Sequence, residues 1–204
     1  MTAPTTSGLA AELAKVVDEL RGVTVQVWTG APGTGGAASG AGVLWDPQGS
    51  SGRGLVITNA HVVRGAQATV GLGDGAVLPA RVVARDRKRD LAALELESSP
   101  AMFAQLREAP LQVGELVIAV GHPGGLVGVA ALGIVHVVEG GRDDRRPRWI
   151  RADLRLAPGF SGGPLADMSG KVVGINAMVH GSLALAVPVT TVESWLRRAQ
   201  APAA

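Results

Sequence analysis

The chain has 204 residues, 47% of them hydrophobic, and its 19 Lys and Arg against 17 Asp and Glu leave a formal net charge of +2. That is enough apolar sequence for one sizeable core or two small fused ones, with no continuous apolar run long enough to span a bilayer. The absence of cysteine excludes disulfides and thiolate metal sites. Two basic clusters, residues 85–89 and 142–155, are interleaved with Asp and lack Tyr and Phe for base stacking, so they read as solvated loops and not as a nucleic-acid surface.

Residues 1–7 are polar, and Met1 is followed by neither a basic nor an apolar leader segment, which predicts a cytoplasmic protein without membrane insertion. From 8 to 21 the apolar positions Leu9, Leu13, Val16, Val17 and Leu20 form one stripe of an amphipathic helix, with Ser7 as N-cap and Gly22 as its end. Short strands punctuated by turn residues follow: 23–28, 42–45, 55–58, 68–72, 77–84 and 91–96, with a glycine-rich loop over 30–42. Residues 98–110, with two prolines and little alternation, read as a connection. A second series covers 116–120, 128–138, 149–153, 163–165, 172–178 and 183–187, and a closing helix over 189–198 carries Val192, Trp195 and Leu196 on one side. Two runs of about six strands predict an all-β fold of two packed barrels, since no helix-length segment separates the strands as a parallel α/β sheet requires. The expected division is 1–22 as N-terminal segment and helix, 23–108 and 109–188 as the barrels, and 189–204 as C-terminal helix and tail.

The stretch with most chemical content is Gly159-Phe160-Ser161-Gly162-Gly163-Pro164, one hydroxyl framed by glycines. Glycines there let the backbone turn sharply and aim N–H groups at a substrate. A serine is a weak nucleophile alone and needs a base. Among the four histidines, His61 stands at a strand end in ITNAHVV, His122 in the turn GHPGG, His136 within an apolar strand and His180 in a turn beside Gly181. No two lie at ligand spacing, so neither metal nor cofactor is expected. Asp90 opens the apolar strand DLAALEL, placed to orient an imidazole, with Asp86 its close competitor. Taken singly, His61 also reads as an edge-of-core histidine and Asp90 as a turn residue. Together, the order His61, Asp90, Ser161 is that of chymotrypsin-type hydrolases. The order Ser161, Asp167, His180 matches an α/β-hydrolase, but too few residues follow the serine for that fold.

The wording around these residues resembles the trypsin-like serine proteases of the HtrA/Deg group. Ser39-Gly-Ala-Gly42 is similar to that family's SGxG, residues 57–63 to ITNAHVV, 90–94 to DLAVL, 121–125 to GNPFG, 132–135 to LGIV and 159–165 to GNSGGPL, with Val173-Gly-Ile-Asn176 and Ala186-Val-Pro188 completing the pattern over roughly residues 23–190. The resemblance implies two six-stranded antiparallel β-barrels, protein or peptide substrates, and a serine endopeptidase acting on unfolded or exposed segments through an acyl-enzyme. In that pattern Ser161 is the nucleophile, His61 the general base and then acid, and Asp90 the partner that fixes the imidazole. The N–H groups of Gly159 and Ser161 form the oxyanion hole, where a side chain on residue 159 would crowd the incoming carbonyl. Pocket walls from 154–158 and 176–181 hold no carboxylate, so Arg or Lys is not expected at P1. Leu156, Ala157, Ala177 and Met178 favour a small to medium aliphatic group, and Arg155 points either to the pocket floor or to solvent.

The chain departs from the family at Phe160, where Asn or Asp is usual. That departure motivates an alternative, an idle peptide-binding or chaperone-like module. Only 16 residues follow Pro188, too few for a PDZ domain, and the first helix lacks the aromatic cluster that knits HtrA trimers, leaving the oligomeric state open.

Overall fold

The computed structural model describes residues 6–30, 39–46, 54–98, 100–139 and 149–200. Most of the glycine-rich loop, the Gly/Ser loop after residue 46, most of the second basic cluster and the polar ends lie outside them. The first helix, α1, spans Thr6–Val23, so Ser7 falls inside its first turn instead of capping it. Its apolar stripe ends in the buried Leu20 and Val23, and the Thr24 hydroxyl donates to the Leu20 carbonyl at 2.6 Å where the helix gives way to strand. No described helix is long and apolar enough to cross a membrane.

Six strands follow, β1 (Thr24–Trp28), β2 (Ser39–Trp45), β3 (Leu55–Thr58), β4 (Gln67–Gly71), β5 (Val77–Asp86) and β6 (Leu91–Leu96). They close into one barrel in the order β1-β2-β3-β6-β5-β4. A second set, β7 (Leu116–Gly121), β8 (Val129–Val138), β9 (Ile150–Asp153), β10 (Pro164–Asp167), β11 (Val172–His180) and β12 (Leu183–Pro188), closes as β10-β11-β12-β9-β8-β7. Every strand pairing in both is antiparallel. The final helix, α2 (Val189–Gln200), buries Val192, Trp195 and Leu196.

With two phenylalanines and no tyrosine, the barrels are filled by β-branched and small aliphatic residues, which pack well on a pleated surface. The first core holds Val25, Val27, Val43, Ile57, Leu91 and Leu94. Strand β7 shows how the barrels meet. Val117 and Ala119 face the interior of the second barrel, whereas Ile118 and Val120 join the core cluster of the first. Its buried run is therefore continuous rather than alternating, as expected of a strand covered on both faces. The connection between the series straps the two: Ala104 N–H donates to Leu44 O (2.8 Å), and Arg107 N–H donates to Val172 O (3.0 Å). The turns carrying His61, Asp90 and Ser161 come together beside this seam.

Candidate active site

At the end of β3 the buried Asn59 donates its side-chain N–H to the Asp90 carbonyl (2.9 Å), tying the turn that carries His61 to the entrance of β6. Asp90 is the one described non-glycine residue at positive φ (+54°). Left-handed backbone is uncommon for a side chain, and Asp tolerates it better than most. The conformation lets one carboxylate engage His61 twice. Oδ1 accepts the His61 backbone N–H at 3.0 Å, and Oδ2 lies 2.7 Å from Nδ1. The Asp90 side chain is 15% exposed and that of His61 is 50% exposed. A carboxylate against Nδ1 favours the ring tautomer that carries its proton on that nitrogen.

The serine loop begins with a tight turn in which Phe160 N–H donates to Ala157 O (3.1 Å). Pro158 and Gly159 occupy its centre, and Gly159 sits at φ +110°, the pattern of a type II turn. A Cβ on Gly159 would stand 2.6 Å from both His122 O and Pro123 Cα. The crowding that demands glycine thus comes from the backbone behind the loop, where the family resemblance placed it on the substrate side. A Cβ on Gly162, at φ +86°, would stand closer still to Ala41 O and Thr58 Oγ1. Ala41 N–H donates to Ser161 O and Gly162 N–H to Asn176 O, each at 2.8 Å, so both barrels hold the loop. The N–H groups of Gly159 and Ser161 donate to no described acceptor. Phe160 is 3% exposed and belongs to the core of the second barrel, which gives the loop an apolar anchor in place of a polar one.

Ser161 Oγ donates to Ala177 O at 3.0 Å. Ala177 is the extra residue of a β-bulge, since Asn176 pairs with Ala186 and Met178 with Leu185. Bulges re-aim backbone groups beside active sites, and here the bulged carbonyl reaches the serine. Beyond Asn176, β11 continues to His180 paired only with β12, leaving its other edge without a described partner strand.

His61, Asp90 and Ser161 share a cleft of about 890 Å³ with Leu156, Ala157, Ala177 and Met178. Arg155 is exposed and does not line it. Val179, within the expected wall 176–181, also lines the cleft, and three further lining residues, Arg87, Lys88 and Trp149, carry no signal in the sequence, except that Arg87 and Lys88 closely precede Asp90. Asp167 faces no imidazole: it accepts from Ser169 and Lys171 N–H and lies 3.4 Å from Arg107, so the α/β-hydrolase order is chance. No described group of three or more His, Asp or Glu is disposed to hold a metal ion.

Behind the loop, His122 is 7% exposed, and burial, partly offset by the Val25 carbonyl, pushes its pKa down to about 4. Its Nδ1 accepts Gly128 N–H (3.2 Å), while its backbone N–H donates to Gly159 O (2.9 Å). Arg21 of α1 donates through Nε to Gly128 O at 2.7 Å. Arg21, Gly128, His122 and Gly159 are thereby linked in series.

Residues 40–175 match the trypsin-like peptidase domain family. The human serine protease HTRA4 is 37% identical over 152 residues, covering 70% of this chain and 32% of that protein. The mitochondrial serine protease HTRA2 of Drosophila ananassae is 32% identical over 173 residues, 80% of this chain and 39% of that protein. A protein named as a DegP-like periplasmic serine endoprotease in Halomonas elongata is 36% identical over 146 residues, 67% of this chain and 31% of that one. The chain thus spans roughly a third of these relatives' length. The solved HtrA-type protease AlgW with a decapeptide superposes over 92% of this chain and 67% of that one, with TM-score 0.77 and 21% identity, which shows a shared fold.

The Halomonas and Drosophila relatives also overturn the cytoplasmic expectation, since they are named as a periplasmic and a mitochondrial protein. That expectation rested on the first residues alone. Compartment is set by targeting signals that the folded barrels do not record. The matched family, the identities of these relatives and the shared double barrel agree: the chain belongs to the trypsin-like peptidases and is a protease domain of the HtrA/Deg type.

Proposed function

We propose that the protein is a serine endopeptidase that cleaves exposed or unfolded segments of protein chains through an acyl-enzyme. The observation that carries this reading is the pairing of His61 with Asp90 at 2.7 Å in the cleft that also holds Ser161. Ser161 Oγ attacks the scissile carbonyl and passes its proton to His61 Nε2, while Asp90 keeps the other proton on Nδ1 and stabilises the imidazolium. The tetrahedral oxyanion receives hydrogen bonds from Gly159 and Ser161 N–H, and a donor of this kind contributes about 3–4 kcal/mol. His61 returns the proton to the departing amine, and water, activated by the same imidazole, releases the acyl group.

The substrate backbone adds to the open edge of β11 at Ala177, Met178 and Val179, antiparallel like every strand of that barrel, with Ala177 O receiving the P1 N–H. Leu156, Ala157, Ala177 and Met178 then surround a small to medium aliphatic P1 group. Support for a peptide ligand comes from the AlgW structures, which carry a tripeptide and a decapeptide. The first barrel, over 23–108, supplies base and carboxylate, and the second, over 109–188, supplies nucleophile and substrate edge.

Labelling with an active-site-directed fluorophosphonate, alongside digestion of unfolded casein, tests the reading. The native protein is expected to label and to cleave, and Ser161→Ala to do neither. Labelling that survives Ser161→Ala overturns the assignment. Casein bound by the native protein but left intact supports the idle binding module instead.

A further inference from the structure

Residues 85–89 read from sequence as a basic cluster interleaved with Asp, and the fold sorts their charges. Arg85 donates to the carbonyls of Arg64 (3.3 Å) and Gly65 (2.5 Å). Asp86 accepts the N–H groups of Lys88 (2.9 Å) and Arg89 (3.0 Å) and pairs with the Arg89 guanidinium at 2.6 Å. Burial alone would raise the Asp86 pKa, but the hydrogen bonds from Arg89 and Lys88 outweigh it and hold the carboxyl below its ordinary value. The turn is therefore pinned by an ionised Asp86, with Arg89 paired inside the loop and Arg85 engaged by carbonyls of the β3–β4 connection.

Arg87 and Lys88 are left over. Both are exposed, neither has an ion-pair partner among the described residues, and both line the cleft beside His61. The second barrel contributes Trp149, Met178 and Val179 to the same cleft, all apolar. The one carboxylate among the described lining residues is Asp90, already engaged by His61. Among the described residues, the cleft thus presents two cations without a counter-charge and an apolar wall.

A peptide added antiparallel to β11, with its scissile carbonyl at Ser161, runs its N-terminal side past Met178 and Val179. Cleft residues on this stretch therefore meet the side chains that precede the scissile bond. Resting on the peptidase reading above, we propose that Arg87 and Lys88 are specificity-determining residues that select substrates carrying an Asp or Glu within four positions N-terminal to the cleaved bond. The contacts are partly solvated, so the preference is about two- to tenfold in kcat/KM at low salt and shrinks as ionic strength rises.

The test uses fluorogenic peptides with Val or Ala at P1 and Glu placed in turn at P2, P3 and P4, each paired with its Gln counterpart. Hydrolysis by the native protein is measured at low and high salt, and binding to Ser161→Ala by fluorescence anisotropy. At one or more positions Glu is expected to exceed Gln in both measurements. The Glu/Gln ratio should fall to about one in Arg87→Gln/Lys88→Gln, and Arg87→Glu/Lys88→Glu should favour Lys-containing peptides. Equal binding of Glu and Gln peptides at every position, or a preference unchanged in both double variants, overturns the proposal. No hydrolysis and no fluorophosphonate labelling, with the Glu preference retained in binding, removes the peptidase reading but leaves the charge selection standing.

Discussion

Ser161 Oγ is hydrogen-bonded to the carbonyl of Ala177, 3.0 Å away, while His61 directs Nδ1 at Asp90. The hydroxyl at rest therefore occupies the acceptor that the proposed substrate N–H needs. On the proposed function, binding and activation of the nucleophile are expected to be one event, with a peptide entering along β11 displacing the serine toward the imidazole. A peptide boronate soaked into crystals should show Ser161 Oγ bonded to boron and Ala177 O accepting the inhibitor's N–H. A complex that keeps the Ser161–Ala177 contact contradicts this coupling.

Asp90→Asn is nearly isosteric and also tolerates the left-handed backbone at φ +54°. It presents an amide to His61 Nδ1, which favours the tautomer with its proton on Nε2, unable to act as base. The expected loss in kcat is about 10⁴-fold with little change in melting temperature. Steady-state kinetics beside thermal unfolding separates this from a folding defect.

Gly159→Ala places a methyl 2.6 Å from His122 O and Pro123 Cα at a φ that disfavours any side chain. The loop has to move, and the Gly159 N–H moves with it. Stability should fall by about 1–3 kcal/mol in urea unfolding, and kcat by at least about 10²-fold, the loss typical of one oxyanion donor.

Phe160→Asn installs the residue usual in the family, yet here it empties an aromatic site in the second core. Removing a buried Phe costs about 3–5 kcal/mol, and an unpartnered amide left in its place adds to that. A urea midpoint equal to that of the native protein would show that Phe160 does not anchor the loop.

His122 makes the fold acid-sensitive. Its folded pKa of about 4 lies below the ordinary 6.5 of the unfolded chain. Between these values the unfolded state holds more protons, so this stabilising contribution is complete above pH 6.5 and is lost as pH falls to 4. At roughly 1.4 kcal/mol per unit the loss is about 3 kcal/mol. Protonation also converts Nδ1 from the acceptor of Gly128 N–H into a donor facing it. In His122→Asn, urea unfolding followed across this window should lose most of that slope.

Much of this was legible in the chain because the local signals agree. Strands β3 and β6 fall where apolar runs are bounded by turn residues, and the glycines around Ser161 mark backbone that only they can adopt. The misread boundaries have physical causes. His180 looked like a turn residue beside Gly181, but a two-residue hairpin pairs it with Leu183 and extends β11. β10 runs on to Asp167 because that side chain caps the next turn through Ser169 and Lys171 N–H. Features set by distant partners left no local trace. These include the bulge that aims Ala177 at Ser161, the positive φ of Asp90, and Trp149, which reaches the cleft from β9's approach in the other barrel. The same holds for Phe160, whose meaning depended on an unseen core.

The series Arg21–Gly128–His122–Gly159 bears on how the domain can be cut. Judged by topology, α1 is a dispensable appendage, since both barrels close without it. Judged by hydrogen bonds, its last turn reaches the peptide group that positions Gly159. A fragment starting at Thr24 would keep all twelve strands and every residue of the cleft, yet lose the outermost tether of its serine loop. Expression boundaries for this domain belong ahead of α1, and partners or crystal neighbours that grip this helix are within three hydrogen bonds of the chemistry.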